Sequence, residues 1–106
     1  MNANHLCVRF GRYQCRVRFG RYVAPERPAM ELIADDGTPV AIATVNLPDE
    51  DLGDDEIAIK NHSENAGVLA ALVASGIVAE PHRFVRRGYV EIPVCRLLVP
   101  AVQAAT

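Results

Sequence analysis

Tryptophan is absent from this 106-residue chain, and aromatic residues make up only 6% of it. Any core must therefore be filled by Val, Leu, Ile and Ala. No C-x-x-C pair occurs. Cys7, Cys15 and Cys95 are odd in number and widely spaced, which argues against a disulfide scaffold and fits reduced, buried thiols. The N-terminal Met-Asn-Ala-Asn-His lacks a basic segment followed by an apolar one, so no secretory signal is read. The longest apolar run, Ala66 to Ala79, is interrupted by Gly67 and Gly76 and is too short to span a bilayer. The expectation is a soluble, cytoplasmic protein with no membrane association. One domain covers residues 1–106, with 1–14 as an N-terminal extension or extra strand and 100–106 as a frayed tail.

Catalytic and metal motifs are missing as well. There is no G-x-S-x-G elbow, P-loop or G-x-G-x-x-G. His62, Ser63 and Glu64 are adjacent, whereas triads are assembled from residues distant in sequence. His5, Cys7, Cys15 and His62 lack the tight pairing of structural zinc sites, and a surface role is expected for His62. An EF-hand loop starting at Asp49 would need an oxygen ligand at Gly53, glycine at Asp54 and glutamate at Lys60. The reading is therefore no enzyme, no cofactor and no metal.

What is present is a helix with both ends marked. Glu56–Lys60 reads as a short strand, followed by a polar break and a helix over about 64–75. Ser63 offers an N-cap oxygen, or Asn61 does, with Glu64 completing a capping box. Val68, Leu69, Leu72 and Val73 form one stripe of a 3.6-residue period. Gly76 suits the left-handed C′ position, and Ile77 can fold back on Leu72.

The N-terminal third repeats itself. Val8-Arg-Phe-Gly-Arg-Tyr13 recurs as Val17-Arg-Phe-Gly-Arg-Tyr22, each copy alternating apolar and charged as a half-buried strand does. The shift of nine is odd, so an unbroken strand would send the copies to opposite faces. A turn or bulge within Gly11–Gln14 resolves this. Either the copies form a hairpin with Val8 near Val17, or one copy is an extension. Residues 24–28 read as a Pro-containing loop. Ala29–Ala34 and Val40–Asn46 read as a hairpin turning at Asp35-Asp36-Gly37. Val40 and Ile42 take one side of the second strand, and Ala41, Ala43 and Val45 take the other, under the helix. After the helix, Phe84-Val85 is too short to assign, Arg86-Arg87-Gly88 reads as a turn, and Tyr89–Val99 as a closing strand. Pro93 argues for an edge or bulge there. The sum is an α+β fold: a small, mainly antiparallel sheet with one helix packed on a face.

Charge is segregated. Arg9, Arg12, Arg16, Arg18, Arg21 and Arg27 crowd residues 1–28. Residues 29–59 contain no Lys or Arg but nine acids, from Glu31 to Glu56. One reading makes the segments neighbours that neutralise one another. A second makes Asp35, Asp36, Asp49, Glu50, Asp51, Asp54 and Asp55 an acidic partner surface. A third makes Arg9, Arg12, Arg16, Arg18 and Arg21, with Tyr13 and Tyr22, a nucleic-acid surface; Phe10 and Phe19 at core-like positions weigh against it.

Asn61-His-Ser-Glu-Asn65 with Gly67, Leu72-Val73, Gly76-Ile-Val78, Gly88-Tyr-Val90 and Pro93-Val-Cys-Arg-Leu97 carry a likeness, as do Ala43–Pro48 and the repeated box. The chain resembles a family of small uncharacterised proteins found on plasmids, integrative elements and phages, over roughly residues 17–98. The Ser63-Glu64-Asn65 box is the family's mark. His62, Ala66 and the duplicated box depart from its pattern. The resemblance implies a genetic context and no mechanism. With the acidic surface it implies a non-enzymatic interaction module, such as an anti-CRISPR-like inhibitor of a host nucleic-acid-handling or defence complex. Open strand edges also suit a homodimer by strand addition.

Overall fold

The two copies of Val-Arg-Phe-Gly-Arg-Tyr fold onto each other. In the computed structural model, which describes residues 6–23 and 26–101, Cys7–Phe10 (β1) and Tyr13–Tyr22 (β2) form an antiparallel hairpin. Gly11 and Arg12 make the turn. φ is positive (59°) at Gly11 and not at Arg12, the pattern of a type II′ turn. The glycine sets the turn and the turn sets the register, so Val8 faces Cys15 and not Val17. His5 and the rest of residues 1–5 lie outside the described residues, as does Ala24-Pro25 of the expected loop.

Arg27–Ala34 (β3) pairs with β2, and Pro39–Ile42 (β4) pairs with β3 across a turn in which Gly37 takes φ 89°. Pro28, expected in a loop, lies within β3 opposite Arg21. It is tolerated because pairing on the β4 side goes no further than Met30 O, which accepts from Ala43 N–H. The β3–β4 register shifts so that Ile33 faces Pro39, leaving Val40 as the bulged residue. Val40 therefore packs on the same core as Ala43, where strict alternation had placed it on the other side.

A second sheet follows. Glu56–Ala58 (β5), Arg83–Arg87 (β6) and Val90–Arg96 (β7) are antiparallel in the order β5-β7-β6. The two sheets join at a corner, where Thr44 bridges Ile59, Val45 N–H donates to Ala58 O, and Lys60 N–H donates to Ala43 O. Two expectations fail here. Arg86 and Arg87 are strand residues, the turn being Gly88-Tyr89 with φ 61° at Gly88. Pro93 sits in the central strand and is buried. β5 ends at Ala58 opposite Val94, so the missing Pro93 N–H falls just past the end of that ladder, while Pro93 O still accepts from Ile59 N–H.

The helix is shorter than its sequence signals. Ser63–Asn65 forms a 3-10 turn, and Val68–Ala74 (α1) is the α-helix proper. Ser63 makes no capping bond and adopts φ 56°. The cap comes from Asn61, whose Oδ1 accepts from Gly67 N–H (3.2 Å) and Leu69 N–H (2.9 Å). Glu64 pairs with Lys60 instead of closing a capping box. The C-terminal stop is as expected: Gly76 has φ 75°, Gly76 N–H bonds Val73 O, and Ile77 N–H bonds Leu72 O.

One core lies between the four-stranded sheet, α1 and the inner face of the second sheet. It contains Val8, Cys15, Phe19, Met30, Leu32, Val68, Leu72 and Ile77, with Phe10, Leu69 and Val73 packed against it. A smaller core, Leu47, Ala58, Val85, Ile92 and Val94, lies on the other face of the second sheet beneath the acidic loop. Val99 and Ala101 pack on the first core, and residues 102–106 lie outside the described residues. Cys15 and Cys95 are buried, with the Cys95 thiol pushed up to about 11 by burial. Cys7, expected to be buried, is exposed on β1. No helix among the described residues is long and apolar enough to cross a membrane.

Candidate functional site

The acidic loop 47–55 is fastened at several points. Arg27, at the start of β3, donates from Nη1 to Leu47 O (2.7 Å) and from Nη2 to Glu50 O (2.6 Å). A guanidinium offers two N–H donors in a fixed planar fork to these two carbonyls, whereas an ammonium on a flexible stem would have to be ordered to serve both. Arg83, on β6, donates to Asp51 O (2.9 Å), to both Glu56 oxygens (3.0 and 3.3 Å) and to Glu50 Oε2 (3.3 Å). Arg87 reaches Glu50 Oε1. Leu47 and Leu52 insert into the smaller core.

Glu56 closes the loop from below. Besides Arg83, its carboxylate accepts from Gly53 N–H (2.9 Å) and pairs with His82 Nε2 (2.5 Å). Arg83, then Gly53 and His82, lower its pKa to about 2. A carboxylate held so firmly ionised is a poor proton acceptor near neutral pH. Beside it, Gly53, Asp55, Glu56, Ala79, Glu80, His82 and Arg96 line an open cleft of about 420 Å³. Of its three carboxylates, Glu56 is already occupied by Arg83 and His82, which leaves Asp55 and Glu80 facing the cleft with Arg96.

These contacts divide the expected acidic surface. Glu50 is tied up by Arg83 and Arg87. Asp49, Asp51, Asp54 and Asp55 are exposed, and their carboxylates make no ion pair among the described residues. Asp35 and Asp36 lie elsewhere, past the far end of β3, which at about 3.3 Å per residue is roughly 23 Å from Arg27. Asp36 is occupied locally: its bonds to Thr38 hold its carboxyl below the usual range. The neutralising role expected of neighbouring segments is present in the Arg18–Glu31 pair (2.6 Å) across β2 and β3, and in Arg83, Arg86 and Arg87 on β6.

The arginine surface is also only partly assembled. Arg9, Arg16 and Arg18 share the outer face of the β1–β2 hairpin by register. Arg12 is in the turn, 5.5 Å above the Tyr13 ring. Arg21 alternates with them and takes the other parity. Phe19 is buried and Phe10 packs on the core, while Tyr22 Oη is bonded to Thr44 Oγ1 (3.0 Å). Tyr13, 41% exposed, is the one ring of the repeat available for stacking. His62 is half-buried, not a surface residue, with Nδ1 inside.

Arg27, Glu56, His82 and Arg83 were not among the sequence-derived site residues. Arg27, His82 and Arg83 lie 20–33 positions from the residues they hold. Glu56, though in a strand read from the sequence, takes its role from His82 and Arg83 more than 25 positions away, so no local pattern marks the group. No protein-family model matches the chain, and neither a curated protein nor a solved structure does.

Proposed function

We propose that the chain is a non-enzymatic interaction module that engages a basic surface on a partner through Asp49, Asp51, Asp54 and Asp55. One observation carries this reading. The loop bearing these residues is clamped by Arg27 and Arg83 through its own carbonyls, while its aspartates stay exposed. A merely solvated loop has no need of such fastening. A pre-ordered loop loses less conformational freedom on binding, and its charge steers a basic partner toward it. The resemblance of the Ser63-Glu64-Asn65 region to proteins of plasmids, integrative elements and phages supports a host nucleic-acid-handling or defence complex as the partner, with inhibition as the outcome. The test is capture of a basic complex from host lysate. Binding should weaken with salt and be lost when Asp49, Asp51, Asp54 and Asp55 are changed together to Asn. Binding that survives those four changes refutes the reading.

The second reading rests on Arg9, Arg16 and Arg18 sharing one exposed sheet face, which would follow a phosphate backbone. Retention on heparin that is salt-sensitive and lost on Arg→Gln changes at those three positions favours it. The same retention left intact by these changes excludes it.

A further inference from the structure

The four-stranded sheet keeps one edge that neither proline nor a bulge interrupts. At the β4 edge, Pro39 and the bulge at Val40 interrupt the strand, and the chain just beyond it bridges Ile59 through Thr44. β1 ends the other side of the order β1-β2-β3-β4, and no other described segment pairs with its far side. Natural sheets blunt such edges with proline, a bulge, inward charge, outward charge or a very short strand, and of these β1 has only its four-residue length and the outward Arg9. β1 has no proline and no register shift against β2, and its inward positions are Val8 and Phe10. The free edge of β6 is protected by charge. Two copies of β6 paired about Val85 would set Arg83 opposite Arg87, and like charges directly opposite are destabilising.

Parity fixes which groups of β1 are free. Phe10 and Tyr13 flank a two-residue turn, so their main-chain groups bond each other. Those of Val8 bond Cys15, and those of Leu6 bond Val17, whose N–H donates to Leu6 O at 2.9 Å. The N–H and C=O of Cys7 and Arg9 therefore point away from β2.

We infer that the chain self-associates by pairing β1 with β1 of a second copy, antiparallel about a two-fold axis at Val8. Cys7 then faces Arg9 of the other copy on both sides of the axis, and the free groups of both residues are used in each copy. Leu6 and Phe10, both half-buried, meet their counterparts on the inner face and gain cover. A register centred on Arg9 sets two guanidinium groups opposite each other. One centred on Cys7 leaves Arg9 without a partner among the described residues. The contact is one short strand per copy, well under the ~1,200 Å² of a standard interface, so the dimer is weak and concentration-dependent. It also brings Arg9, Arg16 and Arg18 of both copies onto one outer face, so added salt strengthens it by screening. The acidic loop takes no part, and failure here leaves the proposed function untouched.

Sedimentation equilibrium of the full chain from micromolar to millimolar concentration tests this. The average mass should rise toward twice the monomer, more so at high salt. Arg9→Pro should remain monomeric with an unchanged circular dichroism spectrum, because the Arg9 N–H makes no bond within the hairpin. Arg9→Cys under oxidised glutathione should yield a disulfide dimer joining the new thiol to Cys7 of the other copy. A wild-type chain that stays monomeric throughout, or an Arg9→Pro variant that associates equally, overturns the inference. So does disulfide dimerisation of the wild-type chain through Cys7 alone, which would place the axis at Cys7.

Discussion

The side-chain amide of Asn65 donates to the carbonyl oxygen of Ile42 at 2.7 Å. Asn65 is only 2% exposed, and this bond ties the 3-10 turn ahead of α1 to the last residue of β4. The helix is thereby held over the sheet at its N-terminal side by a polar contact, and on its apolar face by Val68 and Leu72.

Removing that donor leaves the Ile42 carbonyl without its partner and a small void where the buried Asn65 side chain stood. Asn65→Ala should cost about 1–3 kcal/mol, measured as a shift in urea midpoint. Asn65→Asp should cost more, since a carboxylate would face the Ile42 carbonyl oxygen with no proton to offer. An Asp variant as stable as the wild type would show that the amide does not hold the turn.

Glu56 makes stability depend on acid in a defined window. Its folded pKa, about 2, lies below the ordinary 4.5, chiefly because of Arg83 and then of Gly53 and His82. A depressed carboxylate stabilises the fold fully above its unfolded pKa, and that contribution is lost as pH falls toward the folded value. Thermal unfolding should therefore show a loss between about pH 4.5 and 2 that Glu56→Gln largely removes. At neutral pH the same substitution should cost about 1–2 kcal/mol, as for a hydrogen-bonded charged group at a partly screened site.

The two ends of α1 respond to different chemistry. Gly76→Ala forces a Cβ into the left-handed region at φ 75° and should cost roughly 1–2 kcal/mol. Asn61→Ala removes an oxygen that serves both Gly67 and Leu69 and should cost about 0.5–2 kcal/mol. Ser63→Ala should change stability little, because its hydroxyl caps nothing. Equal losses for Ser63→Ala and Asn61→Ala in chemical denaturation would contradict the assignment of the cap.

The contrast between those ends shows what was legible in the sequence. The stop could be read because Leu72, Val73, Gly76 and Ile77 contact one another within a single turn. The start was legible only as two alternatives, Ser63 or Asn61. Asn61 supplies the oxygen, but the chain makes a 3-10 turn first, so Asn61 reaches past it to Gly67 and Leu69 and Glu64 closes no capping box. The α+β fold and the Asp35–Gly37 hairpin followed from alternation and turn residues. Pro93 in a central strand did not, since its tolerance depends on where β5 happens to end. The acidic loop was visible as composition. Its fastening was not, because Arg27 and Arg83 act on residues 20 or more positions away, and nothing local records a contact of that range.

That fastening provides a test separating charge from order. Arg27 bonds two carbonyls, Leu47 O and Glu50 O, and touches none of the exposed aspartates. Arg27→Ala should leave Asp49, Asp51, Asp54 and Asp55 in place while releasing the loop. Amide hydrogen exchange over residues 47–53 should then accelerate several-fold, with exchange in β7 unchanged. If the loop binds its partner as a pre-ordered element, affinity should fall although local negative charge has increased by the loss of a cation. Arg27→Lys, which keeps the charge but not the fork, should resemble Arg27→Ala more than wild type. Were affinity instead to rise in Arg27→Ala, charge alone would govern binding, and the clamp would serve only to seal the smaller core beneath Leu47 and Leu52.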